Sequence, residues 1–266
     1  MPDFKQICEA TVQITRETGK FVKEYRQNNK PSVESKGRND FVTQIDKASE
    51  EKLVKALGEL LPEAGFIAEE NTSDKTGETY NWIIDPIDGT TNFIHGLYPY
   101  AISIALQEED EIVVGVVYEM GMDECFYAWK GGPALLNGEP IHVSDNATVA
   151  DSLIATGFPY TNYSLISNFM DTLDFFMKNS HGLRRLGSAA ADLAYVACGR
   201  FDAFYEYNLK PWDVAAGAFL VQQAGGKVSD FSGGNNFLFG QEIVCGNDKM
   251  FFEMQEVINN YMKKQK

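Results

Sequence analysis

Apolar residues recur at three-and-four spacing through Phe4, Ile7, Cys8, Ile14, Phe21, Val22 and Tyr25, with Glu, Lys and Gln between them. That period predicts a long amphipathic first helix, stopped by Asn28-Asn29-Lys30-Pro31. A second helix is expected from about Ile45, with Ala48, Leu53, Ala56, Leu57, Leu60 and Leu61 on one face and Pro62 as terminator. Between them Lys36-Gly37-Arg38-Asn39-Asp40 reads as loop or turn and Phe41-Val42-Thr43 as extended. From Gly65 the texture becomes β. Phe66-Ile67-Ala68, Trp82-Ile83-Ile84, Ala101 to Leu106, Ile112 to Tyr118 and Cys125 to Trp129 are short β-branched or aromatic runs separated by turn residues. Asn137-Gly138, between Leu135-Leu136 and Ile141-His142-Val143, predicts a hairpin. Beyond about residue 145 the pattern alternates again. A strand is expected at Ser152 to Thr156, helices at Ser164 to Lys178 and at Ser188 to Ala197, the second closed by Gly199. A strand at Ala203 to Tyr205 and a helix at Trp212 to Ala224, capped by Gly225-Gly226, follow. The economical reading is an antiparallel α+β lobe over 1–145 and an α/β lobe over 146–266, sharing a cleft in one unit.

Composition narrows the function classes. The 266 residues are 44% hydrophobic and 23% charged, which is globular. A formal charge of −15 disfavours any nonspecific grip on nucleic acid or an anionic membrane. It still permits a small phosphorylated ligand held through metal ions. Cys8, Cys125, Cys198 and Cys245 form neither a C-x-x-C nor a Cys/His cluster, so they read as reduced, mostly buried thiols. Met1-Pro2-Asp3-Phe4-Lys5-Gln6 lacks a basic start followed by an apolar run, and no apolar stretch approaches the ~20 residues needed to span a bilayer. A soluble cytoplasmic protein is expected.

The most informative window is Trp82-Ile83-Ile84-Asp85-Pro86-Ile87-Asp88-Gly89-Thr90-Thr91-Asn92. An apolar strand runs into two carboxylates three apart across a proline, a geometry that can aim both, and the Ile87 carbonyl, at one point. Hard oxygen ligands suit Mg2+ or Ca2+ rather than zinc. Gly89 lets the chain approach a ligand closely, and successive N–H groups at Gly89 and Thr90 can form an anion nest at a helix start. Asp-x-x-Asp-Gly is also ordinary turn chemistry, in which the carboxylates cap backbone N–H groups. Three further acidic sites share the character: Glu69-Glu70 after Phe66-Ile67-Ala68, Asp46 at the start of the second helix, and Asp213 after Pro211-Trp212. Asp46 and Asp213 would be favourable helix caps with no function at all. Converging in one cleft, these carboxylates would repel one another unless cations filled it.

Asp40 to Asp46, Gly65 to Glu70, Trp82 to Phe93 and Trp212 to Gly226 together resemble the signature blocks of the inositol monophosphatase family, Mg2+-dependent and lithium-sensitive phosphatases, in the family's order and spacing. The resemblance implies the layered αβαβα sandwich of the inositol monophosphatase and fructose-1,6-bisphosphatase type. It implies that Glu69, Asp85 and the Ile87 carbonyl hold one Mg2+, that Asp85, Asp88 and Asp213 hold a second, and that Glu69 shares a third, looser ion. Thr90, paired with Asp46, would orient and help activate an attacking water, with Glu69 in the same machinery. Gly89 and Thr90 N–H groups would bind phosphate. Glu206 matches the family's sugar-hydroxyl ligand, and Gly187-Ser188-Ala189 the segment lining the substrate ring. The implied reaction is direct, metal-assisted phosphoryl transfer to water with no phosphoenzyme. The family also suggests a homodimer.

Asp88-Gly89-Thr90-Thr91-Asn92-Phe93 differs from the D-G-T-K-E-F of bisphosphate nucleotidases and favours the monophosphatase branch. Glu206 favours a polyol, because a carboxylate accepts hydroxyl hydrogen bonds and repels a second phosphate. Lys210 near the rim could accommodate an extra anionic group. Histidinol phosphate, fructose 1,6-bisphosphate and adenosine bisphosphate remain alternative esters of the same fold, and some family members serve as regulatory proteins of the transcription machinery. His142 and His181 read as surface residues, with His95 closest to the phosphate block; Arg184-Arg185 could attract an anion but reads first as a solvated pair, and Lys263 to Lys266 as a frayed tail.

Overall fold

The computed structural model describes residues 2–28, 33–37 and 40–262. The expected helix stop at 29–31, the centre of the turn at 38–39 and the basic tail at 263–266 lie outside the described residues. In chain order the first half contains α1 (Phe4–Asn28), β1 (Val33–Gly37), β2 (Asp40–Thr43), α2 (Gln44–Leu60), β3 (Gly65–Ala68), β4 (Tyr80–Asp88), α3 (Thr90–His95), β5 (Ala101–Glu108), β6 (Glu111–Glu119), β7 (Glu124–Trp129), β8 (Leu135–Leu136) and β9 (Glu139–Pro140). The second half contains β10 (Leu153–Thr156), α4 (Ile166–Asn179), β11 (Gly182–Arg184), α5 (Ala189–Ala197), β12 (Ala203–Tyr207), α6 (Pro211–Gln223), β13 (Lys227–Ser229), β14 (Glu242–Gly246) and α7 (Phe251–Tyr261).

Among the described residues, β3 to β9 form a seven-stranded sheet in sequential order, antiparallel except for the parallel β3–β4 pair. A five-stranded mixed sheet has the order β11-β10-β12-β14-β13. Helices α1 and α2 cover one face of the large sheet; α5 and α6 fill the space between the sheets, and α4 and α7 cover the outer face of the small one. The result is the five-layered αβαβα sandwich. Strand β4 shows why its sequence is a continuous apolar run: Trp82 and Ile84 pack under α1 and α2, while Ile83 packs towards α5 and α6. The central helices use small residues, Ala189-Ala190-Ala191 and Ala215-Ala216-Gly217-Ala218, because each is covered on all sides. A Cβ on Gly217 would lie 2.5 Å from Leu193 Cβ on α5, so glycine sets the separation of the two helices.

Several expectations need correction. Phe21 is exposed, and the buried face of α1 is built from Ile7, Cys8, Thr11, Val12, Thr15, Thr18, Gly19 and Val22. Thr11 and Thr15 donate their hydroxyls to the carbonyls one turn back, at 2.8 and 2.7 Å, which hides their polarity from the core. Residues 33–37, read partly as loop, form β1 and pair with β2. The partner of β8 is Glu139–Pro140 rather than Ile141-His142-Val143, because the tight Asn137-Gly138 turn closes the ladder at once. Helix α3 begins at Thr90, where a helix start was expected; helix α7 and strands β11, β13 and β14 were not anticipated as elements, and the three strands have three to five residues, too short for a period to show. Among the described residues no helix is long and apolar enough to cross a membrane.

Replacing Gly217 by Val should overpack the α5–α6 contact and destabilise the protein by about 1–3 kcal/mol, read as a lower urea midpoint. An unchanged midpoint would show that the two helices can separate freely.

Candidate active site

The chemistry-bearing window is set by a break in the β4 ladder. Asp85 pairs with Ser103 and Asp88 with Ala101, so two residues, Pro86 and Ile87, stand opposite the single Ile102. This is a bulge, and Pro86 suits it because it has no N–H to give to the ladder. The extra residue reverses the alternation. Ile87 falls back under the α1–α2 layer with Trp82 and Ile84, and Asp88 is brought to the same side of the strand as Asp85. The proline thus acts inside the strand rather than as a turn after it, which corrects the expected boundary.

Neighbouring elements complete the cluster. Glu69 follows β3, whose parallel register with β4 places it beside Asp85. Glu50 on α2, buried, accepts hydrogen bonds from Glu70 N at 2.7 Å, Thr72 N at 2.9 Å and Thr72 Oγ1 at 2.9 Å, and so fixes the turn that presents Glu69. Asp213 sits in the first turn of α6, where Lys210 N donates to its Oδ2 at 2.7 Å. Ser103 Oγ on β5 donates to the Trp212 carbonyl at 3.0 Å and ties that turn to the large sheet. Asp88 Oδ2 accepts from Ser188 Oγ at 2.5 Å and from Ala190 N at 2.8 Å, which joins it to the start of α5. Carboxylate oxygens of Asp85, Asp88 and Asp213 all lie within 4.8 Å of one another.

The electrostatics follow from that placement. Burial, then the neighbouring Glu69, Asp88 and Asp213 carboxylates, push the Asp85 pKa well above the usual range. Burial raises Asp88 to about 6, although hydrogen bonds from Ser188 and from backbone N–H groups oppose it. Burial and the nearby Asp88 raise Asp213 to about 7. Like-charged acids driven out of water favour protonation unless a cation compensates, so the donor set fits a hard divalent ion.

Thr90 opens α3. Its hydroxyl lies 3.2 Å from Asp46 Oδ1 and 3.0 Å from the Ile87 carbonyl, two acceptors competing for one hydrogen. Asp46 is fully buried in the first turn of α2 and does not itself line the cavity. Gly89 holds φ 87° and ψ 36°, a left-handed conformation that turns the chain from β4 into α3. A cavity of about 330 Å3 brings together Glu69, Asp85, Asp88, Asp213, Gly89 and Thr90 with Gly187, Ser188, Ala189 and Glu206. Lys210 also lines it, whereas His95 is exposed and none of His95, His142 and His181 does.

Two residues were misjudged or missed. Arg185, read as half of a solvated pair, is half-buried and lines the cavity, while Arg184 is exposed. Asp192 on α5, 1% exposed, was not singled out. A carboxylate inside the otherwise apolar run Ala189-Ala190-Ala191-Asp192-Leu193-Ala194 was the available signal, since such charges are rarely buried without a reason.

The profile of the inositol monophosphatase family matches residues 3–264. The putative Nus factor SuhB of Neisseria meningitidis serogroup B is 44% identical over 231 residues, covering 86% of this chain and 88% of that protein. The inositol-1-monophosphatase of Rhizobium meliloti is 39% identical over 254 residues, covering 95% and 96%. The solved structure of an IMPase from Thermotoga maritima superposes with a TM-score of 0.85 at 34% identity, covering 94% of this chain and 95% of that one. A match over nearly the full length, with the same layered fold beneath it, places the assignment beyond a single motif: the chain belongs to the inositol monophosphatase family.

Proposed function

We propose that the protein is a Mg2+-dependent phosphomonoesterase acting on inositol monophosphate or a similar polyol or sugar phosphate. The observation that carries this reading is the convergence of Asp85, Asp88 and Asp213 in a cavity where burial raises the pKa of all three. Glu69, Asp85 and the Ile87 carbonyl would hold one Mg2+; Asp85, Asp88 and Asp213 would hold a second, and Glu69 could share a third. Bound Mg2+ supplies the charge that neutralises phosphate and lowers the pKa of a water. The Thr90 hydroxyl, with Asp46 as its buried acceptor, orients the attacking water. N–H groups of Gly89 and Thr90 bind the phosphate, Gly187, Ser188 and Ala189 line the alcohol half, and Glu206 accepts hydrogen bonds from its hydroxyls. Water adds to phosphorus as the ester P–O bond breaks, giving the free alcohol and inorganic phosphate.

A second role, as a regulatory protein of the transcription machinery, is supported by the Nus-factor name of the Neisseria relative. The charge of −15 favours a protein partner over nucleic acid in that role. Self-association as a homodimer is supported by the exposed apolar Leu97, Tyr98 and Met122, of which Tyr98 packs on Gly121 next to Met122.

Phosphate release from inositol monophosphate should require Mg2+ and cease in excess EDTA; activity persisting in EDTA removes the metal from the proposal. Asp88→Asn should lower kcat by at least about a hundredfold while the folded state, read by circular dichroism, is kept. Histidinol phosphate, fructose 1,6-bisphosphate and adenosine bisphosphate, assayed beside it, identify the preferred ester. Stability supplies a separate test. An acid whose pKa is raised by folding stabilises the native state at low pH and loses that contribution as pH rises through the raised value. In EDTA, the thermal midpoint should therefore fall between about pH 4 and pH 7 through Asp88 and Asp213, and added Mg2+ should restore more at pH 8 than at pH 5. Asp213→Asn should flatten the EDTA profile; an unaltered slope would show that Asp213 is not held against its charge.

A further inference from the structure

The alcohol side of the cavity contains a cation with unusually constrained surroundings. The Arg185 guanidinium lies 5.1 Å from the Phe158 ring centroid and 5.7 Å from that of Tyr160. Its Nη2 donates to the Tyr160 hydroxyl at 2.6 Å, and its Nη1 lies 2.6 Å from where a Cβ on Gly187 would stand. The group is thus seated between two aromatic rings and the Gly187 backbone, with little freedom to move.

Two buried acids lie near enough to feel its charge. Glu206 on β12 is 5% exposed and lines the same cavity. It lies so close to Gly157 that a Cβ there would fall 1.9 Å from Glu206 Oε2, so any side chain at 157 would displace the Glu206 carboxylate. Asp192 is buried on α5, and its Oδ1 has no hydrogen-bond partner among the described residues. Burial raises the pKa of both acids well above the usual range, and Arg185 opposes the rise in both, which favours the ionised, purely accepting form of Glu206. With two buried acids near it and one Nη already engaged by Tyr160, Arg185 is poorly suited to capture a second phosphate. It is well suited to neutral hydroxyls. A hydroxyl both donates and accepts, a carboxylate only accepts and a guanidinium only donates, so neither charged group alone satisfies a hydroxyl completely.

We propose that Arg185 is a specificity-determining residue: braced by Tyr160, it pairs with Glu206 to form a donor–acceptor wall that selects phosphate esters of alcohols with vicinal hydroxyls. This deepens the polyol phosphatase reading and rests on it. An ester without hydroxyls would desolvate Arg185 and Glu206 and leave them unpaired, the situation in which polar sites discriminate most strongly.

The test compares myo-inositol 1-phosphate with phenyl phosphate at saturating Mg2+, in wild type, Arg185→Gln, Arg185→Lys and Tyr160→Phe. The quantity read is the ratio of kcat/KM for the two esters. Arg185→Gln should lower that ratio at least about tenfold, mainly through KM for the inositol ester, and Arg185→Lys should recover part of it. Tyr160→Phe, which keeps the ring and removes the brace, should lower it about threefold and decides the matter if Arg185→Gln does not fold. Equal losses on both esters, or a ratio unchanged within about twofold in Arg185→Gln and Tyr160→Phe, would overturn the proposal. Wild type that shows no preference for the inositol ester would overturn the polyol reading itself, and the proposal with it; a preference that survives the substitutions overturns the proposal alone.

Discussion

Carboxylate oxygens of Asp85, Asp88 and Asp213 stand within 4.8 Å of one another in a cavity of about 330 Å3, with Glu69 beside Asp85. Mutual repulsion and lost hydration both act to push them apart or to protonate them. Holding them together requires packing that does not yield, and the five layers provide it. The four side chains come from the end of β3, the bulged end of β4 and the first turn of α6, elements anchored in different parts of the core. Hydrogen bonds from Lys210 N, Ser188 Oγ and Ala190 N fix two of the carboxylates from the helix side.

The central helices are where that rigidity meets the chemistry. Helix α5 begins at Ser188, which both caps it and donates to Asp88; α6 begins at the turn carrying Asp213. Both are buried along nearly their whole length between the two sheets, so their first turns inherit the immobility of the core. The small residues that let them pack closely, Gly217 against Leu193 among them, therefore bear on the geometry of the carboxylates some distance away.

Legibility was uneven, for identifiable reasons. The metal-type carboxylates announced themselves because each follows an apolar strand or opens a helix. Arg185 did not, because an Arg-Arg pair looks solvated until Phe158 and Tyr160, distant in sequence, are brought over it. Thr11 and Thr15 concealed the true buried face of α1, since a threonine that bonds its own helix behaves as an apolar residue. Glu50 lies within a run of charged residues in α2 and carries no motif of its own, yet it holds the turn that presents Glu69.

By itself the sequence determined which elements form where periodicity is long, as in α2, β5 and β6, and which residue types are available for metal and phosphate chemistry, concentrated in Asp85 to Thr90. Those are local properties of backbone preference and side-chain chemistry. Only the tertiary structure decided that Asp88 shares a side with Asp85, because that depends on one extra residue in the β4–β5 register. It alone raised the carboxylate pKa values, by removing water, and seated Arg185 among aromatic rings and buried acids. Charge is written in the chain, but its energy depends on the distances and the dielectric that folding creates.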